Sequence, residues 1–175
     1  MASGRVEMDK ARRFIPEDAE IGCIPVERLY ERSGLELLRE MVAGRIPAPP
    51  ISRLMNFALT AVEEGMAEFR GIPLYDHYNP AGVVHGGWAA TLLDSALGCA
   101  VNTMTPVGVG HTTIEFKTNL VRPITERTGE VVCRGTVTHF GRTTAVSEAT
   151  LKTIDGKLLA LATETCAVFP LPARK

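Results

Sequence analysis

Apolar positions in this chain change their spacing several times, and each change marks a new element. Ser33 opens Ser-Gly-Leu-Glu, in which Glu36 can reach back to the cap, and Leu37, Leu38, Met41 and Val42 follow. The pattern predicts a short helix closed by Gly44. Ile46-Pro-Ala-Pro-Pro50 can neither continue that helix nor form a central strand, because proline lacks the amide donor and fixes its own dihedral. It reads as a connector. Phe57, Leu59 and Ala61 then alternate with polar or small neighbours, Glu64-Gly65 makes a turn, and an extended pattern resumes from Met66 to Leu74. These two runs predict a hairpin.

From Gly86 to Val101 the chain is apolar nearly all round and long enough for four helical turns, so this helix is expected to be buried on most sides. After Pro106 the period changes from about 3.6 to 2. Ile114, Phe116, Thr118 and Leu120 alternate with Glu115, Lys117 and Asn119, and the strand stops near Arg122-Pro123. Three more strand-like runs follow, at about 128–139, 142–154 and 157–169. Gly141 marks the first reversal, and Asp155-Gly156 is the favoured dipeptide for a two-residue hairpin loop. The expected class is α+β, with a curved antiparallel sheet wrapped around one central helix.

At 175 residues the chain is the size of one domain. That domain is placed at 33–170, preceded by an extension over 1–32 and followed by a short tail over 171–175. The extension mixes charges with Pro16 and Pro25 and has no sustained period, which suits a mobile arm or a segment laid over a neighbouring subunit. No apolar run approaches the roughly 20 residues of a membrane span, and the first residues lack the core of a secretory signal. The default compartment is the cytoplasm. Cys23, Cys99, Cys133 and Cys166 are widely spaced and read as reduced, mostly buried thiols. A net charge of −1 without a basic stripe disfavours nucleic acid as a partner.

The residues that could carry chemistry gather at the central helix. Asn79-Pro-Ala-Gly-Val-Val-His85-Gly86-Gly87 leads into it. A helix N-terminus presents unpaired N–H groups and partial positive charge, which suits an oxygen acquiring negative charge, and glycine lets a ligand approach that backbone. The same Gly-Gly could simply relieve crowding where loop meets helix, and His85 could be a structural histidine. Asp94 stands among Leu92, Leu93, Ala96 and Leu97, where a buried carboxylate needs a partner or a purpose. It could also cap a loop or pair with a lysine across an interface.

Distance limits how these groups cooperate. Asp94 lies eight positions beyond Gly86, about 12 Å farther along the helix at 1.5 Å per residue. If both act on one carbonyl, they must come from different subunits of an isologous dimer. Other hydrolase classes lack their parts: there is no G-x-S-x-G elbow, P-loop or H-E-x-x-H, and His77, His85, His111 and His139 have no metal-ligand spacing.

These residues resemble the PaaI-like, phenylacetic-acid-type branch of the hotdog thioesterases, over residues 46–169. The resemblance is carried by Asn79, His85-Gly86-Gly87 and Asp94, by the Thr112-Thr113-Ile-Glu-Phe-Lys strand ending in Arg122-Pro123, and by Phe140-Gly141-Arg142-Thr-Thr-Ala. It implies a hotdog fold, assembled as homodimers that commonly pair into tetramers, and hydrolysis of a hydrophobic acyl-CoA, aryl or medium-chain, without metal or redox cofactor. In that reading the Gly86 N–H polarises the thioester carbonyl, with Gly87 beside it. Asp94 of the opposite subunit is nucleophile or general base. Asn79 positions the water or the carbonyl, and His85 braces the loop. A family serine or threonine falls at Thr112 or Thr113, of which Thr113 is favoured. Arg122 and Arg142 are candidates for the CoA phosphates, whose charge guanidinium groups suit. Trp88, Phe57 or Met55 could bound the acyl group. A hotdog hydratase and a non-catalytic acyl-CoA-binding protein are the rival readings.

Overall fold

The computed structural model describes residues 14–173. Its centre is a helix, Gly86–Asn102 (α3), against the concave face of a six-stranded antiparallel sheet. In chain order the strands are β1 (Phe57–Glu63), β2 (Met66–Gly71), β3 (Val109–Leu120), β4 (Val131–Phe140), β5 (Thr144–Thr153) and β6 (Leu158–Pro170). In the sheet they run β1-β2-β4-β5-β6-β3, which leaves β1 and β3 at the edges. This is the α+β hotdog arrangement expected from the alternation and the single apolar helix.

The core forms where α3 meets the sheet. Leu92, Leu93, Ala96, Leu97 and Ala100 are wholly buried, as are Ala67, Val131, Cys133, Leu151 and Ala160 from four strands facing them. Small residues set the separation. A Cβ at Gly135 of β4 would stand 2.3 Å from the Ala96 carbonyl oxygen, so glycine is required for the sheet to come this close to the helix.

Local chemistry forms most elements as expected. In α1 (Gly34–Val42) the Ser33 hydroxyl accepts the Glu36 N–H, and the Glu36 carboxylate accepts the Ser33 N–H at 2.9 Å, closing the capping box. Glu64-Gly65 joins β1 to β2, with Gly65 at positive φ. Gly141 turns β4 into β5, its N–H donating to the Thr144 carbonyl at 2.8 Å.

Three expectations need correction. The proline-rich connector gives way at Pro50 to a short helix, α2 (Pro50–Met55), because proline at the first helical position loses no hydrogen bond. Asp155-Gly156 does turn the chain, but the loop spans Ile154 to Gly156 between bonded Thr153 and Lys157, with Gly156 left-handed. Strand β3 begins at Val109, five residues before the alternation becomes clear, and Ile114 is an extra residue in a bulge.

Residues 14–32 of the extension lie on their own protomer, whereas residues 1–13 and 174–175 fall outside the described residues. Ile15 is buried, the Phe14 N–H donates to Asn56, Ile21 bridges to Ala48, and the Tyr30 hydroxyl donates to the Pro172 carbonyl. Among the described residues no helix is long and apolar enough to cross a membrane.

Candidate active site

The loop before α3 is braced on both sides. Val84 donates to the Ile124 carbonyl, His85 donates to the His77 carbonyl at 2.8 Å, and the His77 ring accepts the Leu74 N–H while stacking on Trp88. His85 is the N-cap of α3 and its Nδ1 accepts the Gly87 N–H at 2.8 Å. The Trp88 N–H is taken by the His85 carbonyl. The Gly86 N–H has no acceptor among the described residues. A Cβ at Gly86 would also meet Leu120 Cδ1 at 2.6 Å, so packing against β3 is a second reason for glycine there. Asn79 holds the loop: its Oδ1 accepts the Ala81 and Val83 N–H groups. That leaves its amide NH2 as the part able to address a ligand.

The expectation that Asp94 is buried does not hold in the single protomer. The sheet covers one side of α3 and leaves a stripe of Gly87, Thr91, Asp94, Ser95 and Gly98 partly or fully open, with Asp94 exposed. Thr91 and Ser95 turn their hydroxyls back onto carbonyls one turn earlier, so they do not engage Asp94. Among the described residues no hydrogen bond or ion pair restrains its carboxylate. Partial removal from water raises its pKa above the ordinary carboxylate value.

The bulge turns Thr113 to the α3 side of β3, where the sheet edge leaves it exposed. Thr113 pairs with Cys166, whereas Phe116 pairs with Glu164, so Ile114 is the residue left over and Thr113 shares the inner face. Its hydroxyl donates to Glu164 Oε1 at 3.1 Å, and the Cys166 thiol donates to the same oxygen at 2.8 Å. Glu164 is fully buried, and burial pushes its pKa up. The charge on Asp94 acts on Glu164, Cys99 and Cys166 in the same direction, which places these groups within electrostatic reach of one another. Burial chiefly drives the Cys99 thiol up to about 12. Glu164 escaped the sequence reading. A usable signal was present: Ala160, Ala162, Cys166 and Val168 alternate on the inner face of β6, and Glu164 falls in their phase.

Two cavities flank the open stripe. One of about 430 Å³ lies between α1, α2, β1 and α3, and is lined by Met41, Phe57, Leu59, Phe69, Ser95 and Cys99. Phe57 therefore bounds an apolar space, as the sequence allowed. The other, about 660 Å³, opens at the N-terminus of α3 beside His85, Gly87, Thr91, Met55, Arg53 and Trp88. Trp88 is itself buried and donates its indole N–H to the Met55 carbonyl at 2.7 Å.

The two arginines do not converge within one protomer. Arg122 follows Leu120, which pairs with Ala160, and Arg142 precedes Thr144, which pairs with Ala167. Seven residues of β6 separate those ends, roughly 23 Å at the rise of a strand. Arg122 lies in an open cleft with Arg127 and Lys157 and donates to the Leu158 carbonyl. Arg127 and Lys157 were not singled out in the sequence, because each stands alone in an unremarkable turn.

The family model for the thioesterase superfamily matches residues 81–160. A Halobacterium salinarum protein named "putative esterase" is 35% identical over 108 residues, covering 57% of this chain and 70% of its own. A conserved protein of known structure from Pseudomonas aeruginosa is 32% identical with a TM-score of 0.64, the match covering 69% of this chain and 94% of that one. A variant of the phenylacetic acid degradation protein PaaI from Thermus thermophilus is 28% identical with a TM-score of 0.61, over 67% of this chain and 97% of that one.

Proposed function

Since this chain belongs to the thioesterase superfamily, we propose that it hydrolyses a hydrophobic acyl-CoA to the free acid and CoA, with Asp94 as the reacting carboxylate. The observation that carries this reading is the setting of Asp94: open to a ligand, unrestrained by any partner among the described residues, partly removed from water, and within electrostatic reach of Glu164, which accepts the Thr113 hydroxyl. A carboxylate so placed either adds to the thioester carbonyl, giving a mixed anhydride that water then opens, or takes a proton from the water that attacks. Both routes break the C–S bond, and the CoA sulfur leaves as thiolate. The Gly86 N–H and the N-terminal end of α3 offer stabilisation to the oxyanion, and the Asn79 NH2 group offers a further donor. His85 keeps the turn in shape by accepting the Gly87 N–H.

If Asp94 and Gly86 act on one carbonyl, the length of helix between them assigns the two groups of a working site to different subunits. Strand β3 supports such a pairing. It is an unpaired edge of twelve residues on which Ile114 and Leu120 are 64% and 55% exposed, and an open edge of this length calls for cover. An isologous homodimer joined along β3 supplies that cover, and pairs of dimers give the tetramer the family resemblance implies. The acyl group then occupies the cavity of about 430 Å³ beside Ser95 and Cys99, which suits a medium-chain or aryl group. Arg122, with Arg127 and Lys157, receives CoA phosphates, while Arg142 serves the opposite end of the sheet. This chemistry calls for no metal or cofactor, and its substrate belongs to the cytoplasm.

The test is a panel of short, medium, long and aryl acyl-CoA esters with detection of released thiol. Turnover should be greatest for medium-chain or aryl esters. Tight binding of these esters without thiol release would instead make the protein an acyl-CoA carrier, and neither binding nor release would overturn the proposal.

A further inference from the structure

Glu164 is a carboxylate in the core of the sheet, and among the described residues it forms no ion pair. Both of its hydrogen bonds fall on one oxygen, from the Thr113 hydroxyl and the Cys166 thiol, while Oε2 has no partner among the described residues. Ser147, its partner across β5 and β6, shares the inner face and also holds an unpartnered buried hydroxyl. From above, α3 meets this spot at Gly98, where a Cβ would stand 3.8 Å from both Glu164 Oε1 and His111 Nε2. An acid held in this way is costly, and an apolar side chain would fill the same inward position among Ala160, Ala162 and Val168 without that cost. Packing therefore gives no reason for it.

The hydrogen bond to Thr113 does. Resting on the hydrolytic reading above, we infer that Glu164 is a positioning residue: it accepts the Thr113 hydroxyl proton, so that Thr113 Oγ1 turns its lone pairs toward the open stripe of α3 and holds the attacking water beside Asp94. The water gives one hydrogen to the Asp94 carboxylate and the other to Thr113 Oγ1, leaving an oxygen lone pair aimed at the carbonyl. With its proton free to rotate, the same hydroxyl would instead donate to the water and occupy that lone pair. Glu164 touches neither substrate nor water and acts only through Thr113.

Two substitutions separate positioning from packing. Glu164→Gln keeps a carbonyl acceptor for Thr113, and its kcat should stay within about threefold of wild type. Glu164→Leu removes the acceptor and should lower kcat by roughly 10 to 100-fold, the scale of a misplaced reacting group, with KM and thermal midpoint not reduced. Thr113→Val should show the same loss, and adding Glu164→Leu to it should cost nothing more, because the two residues act as one unit. An unchanged kcat in Glu164→Leu, or losses that multiply in the double variant, would overturn the inference. If Leu at 164 prevents folding, the carboxyl carbon signal of Glu164 in NMR decides: it must move in Thr113→Val, and a stationary signal is equally fatal. A wild-type protein that hydrolyses no thioester removes both the hydrolytic reading and this inference, whereas turnover that depends on Asp94 and ignores Glu164 removes this inference alone.

Discussion

His85 Nδ1 accepts the N–H of Gly87 at 2.8 Å, so the histidine that precedes the central helix is its cap. The bond uses one of the orphan amides of the first turn, whereas that of Gly86 has no acceptor among the described residues. His85→Ala should cost about 1 kcal/mol of stability, as the loss of a helix cap does, and His85→Asn should recover most of it because its side-chain oxygen can cap. Chemical denaturation measures both. An unaltered midpoint in His85→Ala would mean that the cap contributes nothing.

Asp94→Asn should keep the fold and lose turnover by about 10² to 10⁴-fold, the usual contribution of a positioned acid or base. The wild-type pH profile should carry the signature of the same group. Partial removal from water raises the Asp94 pKa, and the proposed chemistry needs its ionised form. Activity should therefore be full above that raised pKa and fall as pH drops through it, at a higher pH than an ordinary aspartate would show. A profile flat through the carboxylate range would argue against Asp94 as the reacting group.

Arg122→Ala should raise KM for acyl-CoA while leaving kcat nearly unchanged, because a phosphate contact binds ground and transition states alike. The effect should shrink as salt is added. Arg127→Ala and Lys157→Ala, in the same cleft, should act in the same direction. If all three leave KM unmoved at low salt, the phosphates are held elsewhere.

The composite site can be tested by complementation. In a heterodimer of Asp94→Ala and Asn79→Ala, one site receives both lesions and the other none. Random re-association of equal amounts makes about half the dimers mixed, so roughly a quarter of all sites should regain activity. The variants are refolded together, mixed dimers are confirmed by native mass spectrometry, and thioester hydrolysis is assayed. Mixed dimers as inactive as their parents would place both residues in one subunit's site.

The features readable from sequence are those that depend on near neighbours. The capping box at Ser33 and Glu36, the Glu64-Gly65 turn, the apolar helix opened by His85-Gly86-Gly87 and the alternation of the late strands each follow from residues a few positions apart. Pairings between distant segments are not of this kind. The placement of β3 beside β6, and hence the sheet order, depends on which edges meet once α3 is covered. The choice between Thr112 and Thr113 shows the difference most clearly. Counting back by twos from Phe116 turns Ile114 and Thr112 inward, but the bulge against β6 leaves Ile114 unpaired and shifts the phase by one, so Thr113 faces Glu164. A side-chain period of two makes every strand sensitive to a single extra residue, and only pairing with the neighbouring strand decides where that residue sits. The exposure of Asp94 has a related cause: its apolar neighbours mark α3 as buried, yet which stripe the sheet leaves open is set by the curvature and extent of the sheet.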